Sequence, residues 1–87
     1  MTADEQRDLL GLITGQDIPA TLVDVLYGCR KAHASHGDFV SFHEGWAYLL
    51  EEVDELWDEV KQKEPSPDLI YAEAIDVAVV ALRVALR

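Results

Sequence analysis

The sequence predicts an all-α fold, and three observations support this class. Apolar residues recur at helical spacing through much of the chain, capping residues stand before the periodic segments, and no segment alternates as a β-strand does. The clearest segment is LIYAEAIDVAVVAL at 69–82, in which only Glu73 and Asp76 are charged. With 87 residues the chain forms one domain with a small core. We therefore expect an antiparallel helical bundle whose core is completed by oligomerisation.

Four helices are predicted, at about residues 3–13, 18–35, 42–63 and 67–87. Thr2 and Glu5 have the spacing of a capping box at the start of the first helix. Pro19 suits the first turn of the second helix, and Gly37 suits its end. Gly28 weakens the second helix by up to about 1 kcal/mol relative to Ala, unless close packing needs the space.

The third helix is predicted from a second capping box, formed by Ser41 and Glu44. On a helical wheel its apolar residues all fall within about 60° of Val53. We therefore expect them to face the core. This predicted core stripe comprises Trp46, Leu49, Leu50, Val53, Leu56, Trp57 and Val60.

The acidic residues of the third helix form two groups. Glu52 and Glu55 lie on one flank of the predicted core stripe, with Glu59 between them on the wheel. The residues of the opposite flank are expected to face solvent, and they are Glu51, Asp54 and Asp58.

The fourth helix follows a short break at Pro65-Ser66-Pro67, with Ser66 as its N-cap and Pro67 at its first position. A connection this short makes the last two helices antiparallel neighbours. The flank that carries Glu52 and Glu55 should therefore approach Glu73 and Asp76.

Charge and composition exclude several classes of partner. Seven basic and seventeen acidic residues give a net charge of −10, which argues against non-specific binding to nucleic acid or anionic membranes. The apolar segment 69–82 is too short to span a bilayer. Cys29 is the only cysteine and no signal-peptide pattern is present, so we expect a cytoplasmic protein.

Glu73 and Asp76 need compensation if they are buried. No Lys, Arg or His lies between Glu64 and Leu82, and an ionised carboxylate loses several kcal/mol on leaving water. Four carboxylates about 5 Å apart repel by about 3 kcal/mol per pair at an effective dielectric near 20. Oxygen ligands suit hard cations such as Mg²⁺, which often also binds substrate phosphates. The pattern therefore indicates either a solvated acidic stripe or a metal site for a nucleoside triphosphate.

A di-iron site is the competing metal centre in a helical bundle. Its signature is Glu-x-x-His on two helices. None of the three histidines has a glutamate three positions before it, and they are His33, His36 and His43. The sequence therefore favours Mg²⁺ over iron and leaves the roles of these histidines open.

The spacing of these acids resembles a known pattern. The segment EEVDE at 51–55, followed after seventeen residues by EAID at 73–76, is similar to the EExxE…ExxD motif of the MazG-like all-α nucleoside triphosphate pyrophosphohydrolases. The stretches HEGWAYLLEEVDELWDEVK and YAEAIDVAVVALR resemble a small phage- or actinobacterial-type branch of that superfamily, over about residues 30–87.

The resemblance implies a Mg²⁺-dependent hydrolase, with Mn²⁺ as a substitute, that cleaves a (d)NTP into (d)NMP and pyrophosphate for nucleotide-pool control or housekeeping. The implied metal ligands are Glu52, Glu55, Glu73 and Asp76, and the implied catalytic acids are Glu51, Glu52 and Glu55. Glu51 matches an extra acid that activates water or supports the ligands. Asp54 departs from the glycine of many relatives, which leaves metal and substrate preference open.

Three further residues are candidates for substrate contact. Arg83 lies seven residues after Asp76 on the same helix face, and Lys61 is a second candidate for the phosphates. Tyr48 lies on the flank of Glu52 and Glu55, where its ring can stack on a base.

Apolar residues nearly encircle the fourth helix, so we expect a homodimer or a dimer of dimers. Two other functions remain open. One is a non-catalytic interaction module of the same fold, which would show no metal-dependent stabilisation. The other is a hydrolase of a different phosphoanhydride, such as a phosphoribosyl-nucleotide, which a product-resolved substrate screen would reveal.

Overall fold

The C-terminal helix organises the structure, a computed structural model that describes residues 1–12 and 18–87. The helices of this part of the chain are α1 (Ala3–Leu12), α2 (Ile18–His36), α3 (Phe42–Val60) and α4 (Pro67–Leu86). None of the described residues lies in a strand, which confirms the predicted all-α class. Residue 13, the predicted end of the first helix, lies outside the described residues.

Helix α4 packs against both α2 and α3. Near the start of α3, Gly45 lies against Val84, and further along α3 Glu55 lies beside Glu73. Helices α3 and α4 are therefore antiparallel, as the short connection between them predicted.

Helix α2 runs in the same direction as α4. The Tyr71 hydroxyl donates a hydrogen bond to the Asp24 carboxylate. Further along both helices, the Cys29 thiol donates to the Val79 carbonyl at 3.7 Å. Because residue numbers rise together along this contact, the C-terminal ends of α2 and α4 lie on the same side of the molecule.

Two glycines allow α4 to approach its neighbours closely. A Cβ atom at Gly28 would lie 2.6 Å from Cγ2 of Val79, and one at Gly45 would lie 2.7 Å from Cγ2 of Val84. Both distances are shorter than real Cβ contacts. Gly28 therefore serves helix packing, which offsets its low helix propensity.

The N-termini of α1 and α4 carry the predicted caps. Thr2 and Glu5 form a complete capping box, since each backbone N–H donates to the other side chain, at 3.2 and 3.1 Å. The Ser66 hydroxyl accepts from the Leu69 N–H at 3.3 Å. These bonds satisfy backbone donors that a helix N-terminus leaves free.

Helix α3 begins at Phe42 behind its Ser41 cap, as predicted, but one bond of the capping box and the end of the helix differ from the prediction. The Glu44 N–H donates to Ser41 Oγ at 3.1 Å, but the Glu44 carboxylate accepts from Val40 N–H at 3.3 Å. The helix ends at Val60 rather than at about residue 63, and Lys61 forms its C-cap. Gln62 then donates its N–H to the Glu59 carbonyl at 3.4 Å and its side-chain amide to the Asp58 carbonyl at 2.7 Å, which breaks the helical hydrogen-bond pattern.

The connection between α2 and α3 begins at Gly37, which has φ +68° and donates its N–H to the His33 carbonyl at 2.8 Å. This left-handed conformation ends α2 as a glycine C-cap. Phe39 follows and is only 7% exposed, so the connection contributes a core side chain.

Arg83 of α4 and Arg87, the C-cap of that helix, hold this connection in place. The Arg83 guanidinium donates to the Gly37 carbonyl. Arg87 donates from Nε to the Phe39 carbonyl at 3.0 Å and from Nη2 to the Val40 carbonyl at 3.1 Å. Backbone carbonyls that no helix satisfies are thus paired with charged donors.

The predicted core stripe of α3 is confirmed for Leu49 and Leu56, which are half-buried, and wrong for its other five members. Those five are 42–58% exposed, and they are Trp46, Leu50, Val53, Trp57 and Val60. We call these five residues the α3 apolar face. The side of α3 that is shielded from solvent is rotated by roughly 80° from the centre of the predicted core stripe. Its residues are Gly45, Leu49, Glu52, Leu56 and Glu59. Gly45 explains the difference, because it lets α4 approach on that side.

The buried side chains of the described core are few, and they are Val25, Phe39, Val79 and Val80. Among the described helices, none has the combination of length and apolar composition that crossing a bilayer requires.

Candidate metal centre

Three predicted metal ligands meet between α3 and α4. Glu52, Glu55 and Glu73 each contribute one carboxylate oxygen to a group in which all oxygens lie within 4.8 Å of one another. The first two residues share a side of α3 because they are three positions apart, and the antiparallel α4 brings Glu73 opposite them. We call these three residues the carboxylate cluster.

Asp76 lies one turn further along α4, next to the carboxylate cluster. Its charge acts on both Glu52 and Glu73, raising their pKa values. Burial raises the pKa of Asp76 itself, the Glu55 carboxylate adds to this shift, and Lys31 opposes it. All four predicted ligands therefore interact electrostatically.

In the carboxylate cluster, two oxygens lack hydrogen-bond partners and two carboxyl groups have raised pKa values. Oε2 of Glu52 and Oε2 of Glu73 are buried and have no hydrogen-bond partner among the described residues. The pKa of Glu52 is raised from 4.5 to about 7, first by burial and then by Glu55, Asp76 and Glu73. Burial also raises the pKa of Glu73, with Asp76 the next cause. Buried polar atoms without partners are rare and call for an explanation.

The donor set fits a hard divalent cation. Ligands of one octahedral Mg²⁺, at about 2.1 Å from the metal, lie about 3–4 Å apart. The oxygens of the carboxylate cluster span up to 4.8 Å. A contraction of about 1 Å, within reach of glutamate side-chain rotation, would bring them to that spacing. A cation would also give the two unpartnered oxygens a ligand.

A cavity of about 660 Å³ adjoins this cluster, and we call it the α2 cavity. Glu52 and Asp76 line one side, and α2 lines the other with Lys31, Ser35 and His36. This volume is within the range of small-molecule sites, about 300–1,000 Å³. The cluster therefore has room beside it for a ligand.

The three predicted substrate residues are placed differently. Tyr48 lines the α2 cavity, and its ring stacks on Phe39 with centroids 5.7 Å apart. Arg83 also lines it, although its guanidinium is held over the Phe39 ring at 4.4 Å. Lys61 forms an ion pair with Asp58 at 3.0 Å and is not among the lining residues.

The remaining acids of α3 lie outside the cluster. Glu51 and Asp54 are exposed. Glu51 precedes Glu55 by four residues, so the two side chains are neighbours on the helix surface. Glu51 is therefore close to the carboxylate cluster without belonging to it.

The histidines also differ in their surroundings. His36 lines the α2 cavity, whereas His33 forms an exposed ion pair with Asp38 at 3.3 Å. His43 is exposed.

The contribution of α2 was missed by the sequence interpretation. Lys31 and Ser35 follow Gly28 by three and seven residues, so all three lie on one face of α2. A glycine at a helix contact marks the face that approaches a neighbour, and this spacing is the signal that was available. Phe39 was also missed, because a buried aromatic residue in a connection has no periodicity.

The fold and site together define an all-α protein with a partly buried carboxylate cluster beside a cavity of ligand size. Comparison with protein-family models, curated proteins and solved structures finds no significant match to this chain.

Proposed function

We propose that this protein is a Mg²⁺-dependent nucleotide pyrophosphohydrolase that cleaves a (d)NTP into (d)NMP and pyrophosphate, in cytoplasmic nucleotide-pool control or housekeeping. The observation that supports this proposal best is the carboxylate cluster, in which Glu52 and Glu73 each bury an unpartnered oxygen and Glu52 also lines the α2 cavity. A solvated acidic stripe would leave those oxygens in contact with water.

In this proposal Glu52, Glu55, Glu73 and Asp76 hold the metal. When bound, Mg²⁺ (or Mn²⁺ in its place) polarises a phosphoryl oxygen and offsets the charge of the triphosphate. The protein residues fix the position of the α-phosphorus relative to the attacking water. Because the α3 and α4 backbones hold the ligands, this orientation is set before the substrate arrives.

The acids have distinct roles in this scheme. Glu51 lies beside Glu55 and outside the cluster, where its carboxylate can orient the attacking water and accept a proton.

Tyr48 lines the α2 cavity, where its ring can stack on the base. Arg83 borders the same cavity and adds positive charge beside the phosphates. Lys61 is the weakest candidate, because it is paired with Asp58.

Products separate this reaction from its alternatives. Attack of water at the α-phosphorus breaks the bond to the bridging oxygen and releases intact pyrophosphate. Attack at the γ-phosphorus instead releases phosphate and leaves a diphosphate. Chromatography of the products from canonical, modified and phosphoribosyl nucleotides, with and without inorganic pyrophosphatase, distinguishes these outcomes.

Matched variants connect the reaction to the cluster. We expect Glu55→Gln, Glu73→Gln and Asp76→Asn each to lower the rate at least about a hundredfold, because ligands act as a unit. Asp58→Asn is the control, since Asp58 is exposed on α3 and pairs only with Lys61 among the described residues. Full activity in Glu55→Gln, or a diphosphate as the first product, would contradict the proposal.

We also propose that the chain forms a homodimer or a dimer of dimers. The supporting observation is the α3 apolar face, which places two tryptophans and three aliphatic residues in water. Contiguous apolar patches on soluble proteins usually mark interfaces. A second copy of the chain, offering the same face, would cover this surface with a symmetric contact.

A further inference from the structure

The α2 cavity has carboxylates on one wall and a lysine on another. Glu52 and Asp76 stand on one side, and Lys31 stands on the α2 side. A triphosphate bound with one Mg²⁺ keeps a net negative charge, so a site of carboxylates needs a cation on its opposite wall. The chain has only seven Lys and Arg residues to supply one.

Most of the other cations near this cavity are already engaged. Arg83 donates to the Gly37 carbonyl and stacks on Phe39. Arg87 donates to two carbonyls of the connection between α2 and α3. Their guanidinium groups are held by these contacts, which limits how far they can move toward a ligand.

Lys31 is different in this respect. It is exposed, and it forms no ion pair or hydrogen bond with any described residue. It lines the α2 cavity together with Glu52 and Asp76. The ammonium group is therefore near the predicted metal ligands and remains free to bind an anion.

The helix packing fixes this position. Gly28 brings the α2 backbone against Val79 of α4, and Lys31 lies about one turn beyond Gly28 on the same side. Ser35 lies one further turn along and lines the same cavity. A lysine and a hydroxyl group thus follow one another along α2 opposite the carboxylates.

We propose that Lys31 binds the phosphate chain of the substrate, with the phosphates extending from the carboxylate cluster across the cavity to α2. This inference rests on the proposed function and adds a substrate-binding residue to it. The chemistry recognised is a polyphosphate complexed with a divalent cation. Lysine suits this role as a flexible point charge that can follow several phosphate oxygens.

Calorimetric titration in the presence of Mg²⁺ tests the proposal with three ligands. They are tripolyphosphate, a nucleoside monophosphate, and a nucleoside triphosphate analogue that resists hydrolysis. Lys31→Met should weaken binding of tripolyphosphate and the triphosphate about 10- to 100-fold, the range of a hydrogen bond to a charged group. Monophosphate binding should change less, and Lys31→Arg should restore most of the loss. Lys63→Met removes an equal charge from the exposed turn after α3 and should change nothing.

The outcomes separate the two proposals. Equal affinities in the wild type and Lys31→Met, or an equal loss for all three ligands, would overturn the role of Lys31. A wild type that hydrolyses no nucleotide, yet binds tripolyphosphate through Lys31, would contradict the proposed reaction and leave the phosphate site standing. A wild type that binds none of the three ligands would overturn both. Because Lys31 is exposed, its variants should keep the wild-type melting temperature, which circular dichroism checks.

Discussion

Glu52 of α3 and Glu73 of α4 face each other across the helix interface, and each buries a carboxylate oxygen that has no hydrogen-bond partner among the described residues. Such an arrangement destabilises the folded chain when both groups are charged and no cation is bound. Stability should therefore respond to protons, metal and mutation at the same two residues.

The first prediction concerns pH. Glu52 has a pKa of about 7 in the folded protein against an ordinary value of 4.5, so the folded state binds its proton more tightly than the unfolded state does. Its contribution to stability is complete below about pH 4.5 and is lost as the pH rises through about 7. Melting temperatures of metal-free protein should fall across this range, and Glu52→Gln should flatten the fall. A wild-type profile that rises from pH 5 to 7.5, or an unchanged profile in the variant, would contradict this.

The second prediction concerns metal. A cation that binds only the folded state stabilises it by about 2.7 kcal/mol at a hundred times its dissociation constant. Thermal melts at pH 7.5 should therefore rise with Mg²⁺ and rise more with Mn²⁺. Glu73→Gln and Asp76→Asn should each remove this rise and increase the melting temperature of metal-free protein, because a repelling charge is lost. The control Asp58→Asn should respond to metal as the wild type does. An intact response in both cluster variants would place the metal elsewhere.

The third prediction concerns the two close helix contacts. Gly28→Ala gains up to about 1 kcal/mol of helix propensity but forces a methyl group against Val79, and overpacking of this kind costs about 1–3 kcal/mol. The net effect should be destabilising. In a Val79→Ala background the nearest remaining atom of residue 79 is Cβ, at 3.8 Å from the new methyl group, so the same change should stabilise. Urea unfolding of the four proteins measures this reversal of sign, and its absence would show that Gly28 is not a packing residue.

The fourth prediction concerns assembly. Trp57 is 58% exposed at the centre of the α3 apolar face, so Trp57→Lys should dissociate the proposed dimer by placing a charge at its interface. Light scattering should show a dimer or tetramer for the wild type and a smaller species for the variant. Asp54→Lys makes a charge change one turn away on the exposed acidic flank, and it should remain assembled. A wild type that is a folded monomer at micromolar concentration would rule out the interface.

The sequence carried enough information to bring Glu52, Glu55 and Glu73 together, because helix periodicity and a short connection leave little choice of geometry. It carried less about the rotation of α3. That helix has apolar residues over a wide arc, and Gly45 determines which side of it faces α4. Because glycine has no side chain, it does not contribute to the hydrophobic pattern from which the prediction was made. The position of Lys31 depends on the relative direction of α2 and α4. Local periodicity contains nothing about that direction, since it results from contacts between residues about fifty positions apart.

The contacts of Arg83 and Arg87 with the connection between α2 and α3 affect the order of folding. Arg83 and Arg87 bind carbonyls that precede them by 46–48 residues. During synthesis the connection between α2 and α3 must therefore wait for the last turns of α4 before its backbone is satisfied. Helices α2 and α3 can form on the ribosome by local hydrogen bonds, but the wall of the cavity that contains Phe39 closes only after translation has passed Arg87. The α2 cavity is thus a late product of folding, because its wall at Phe39 needs Arg83 and Arg87 in place as well as α2 and α3.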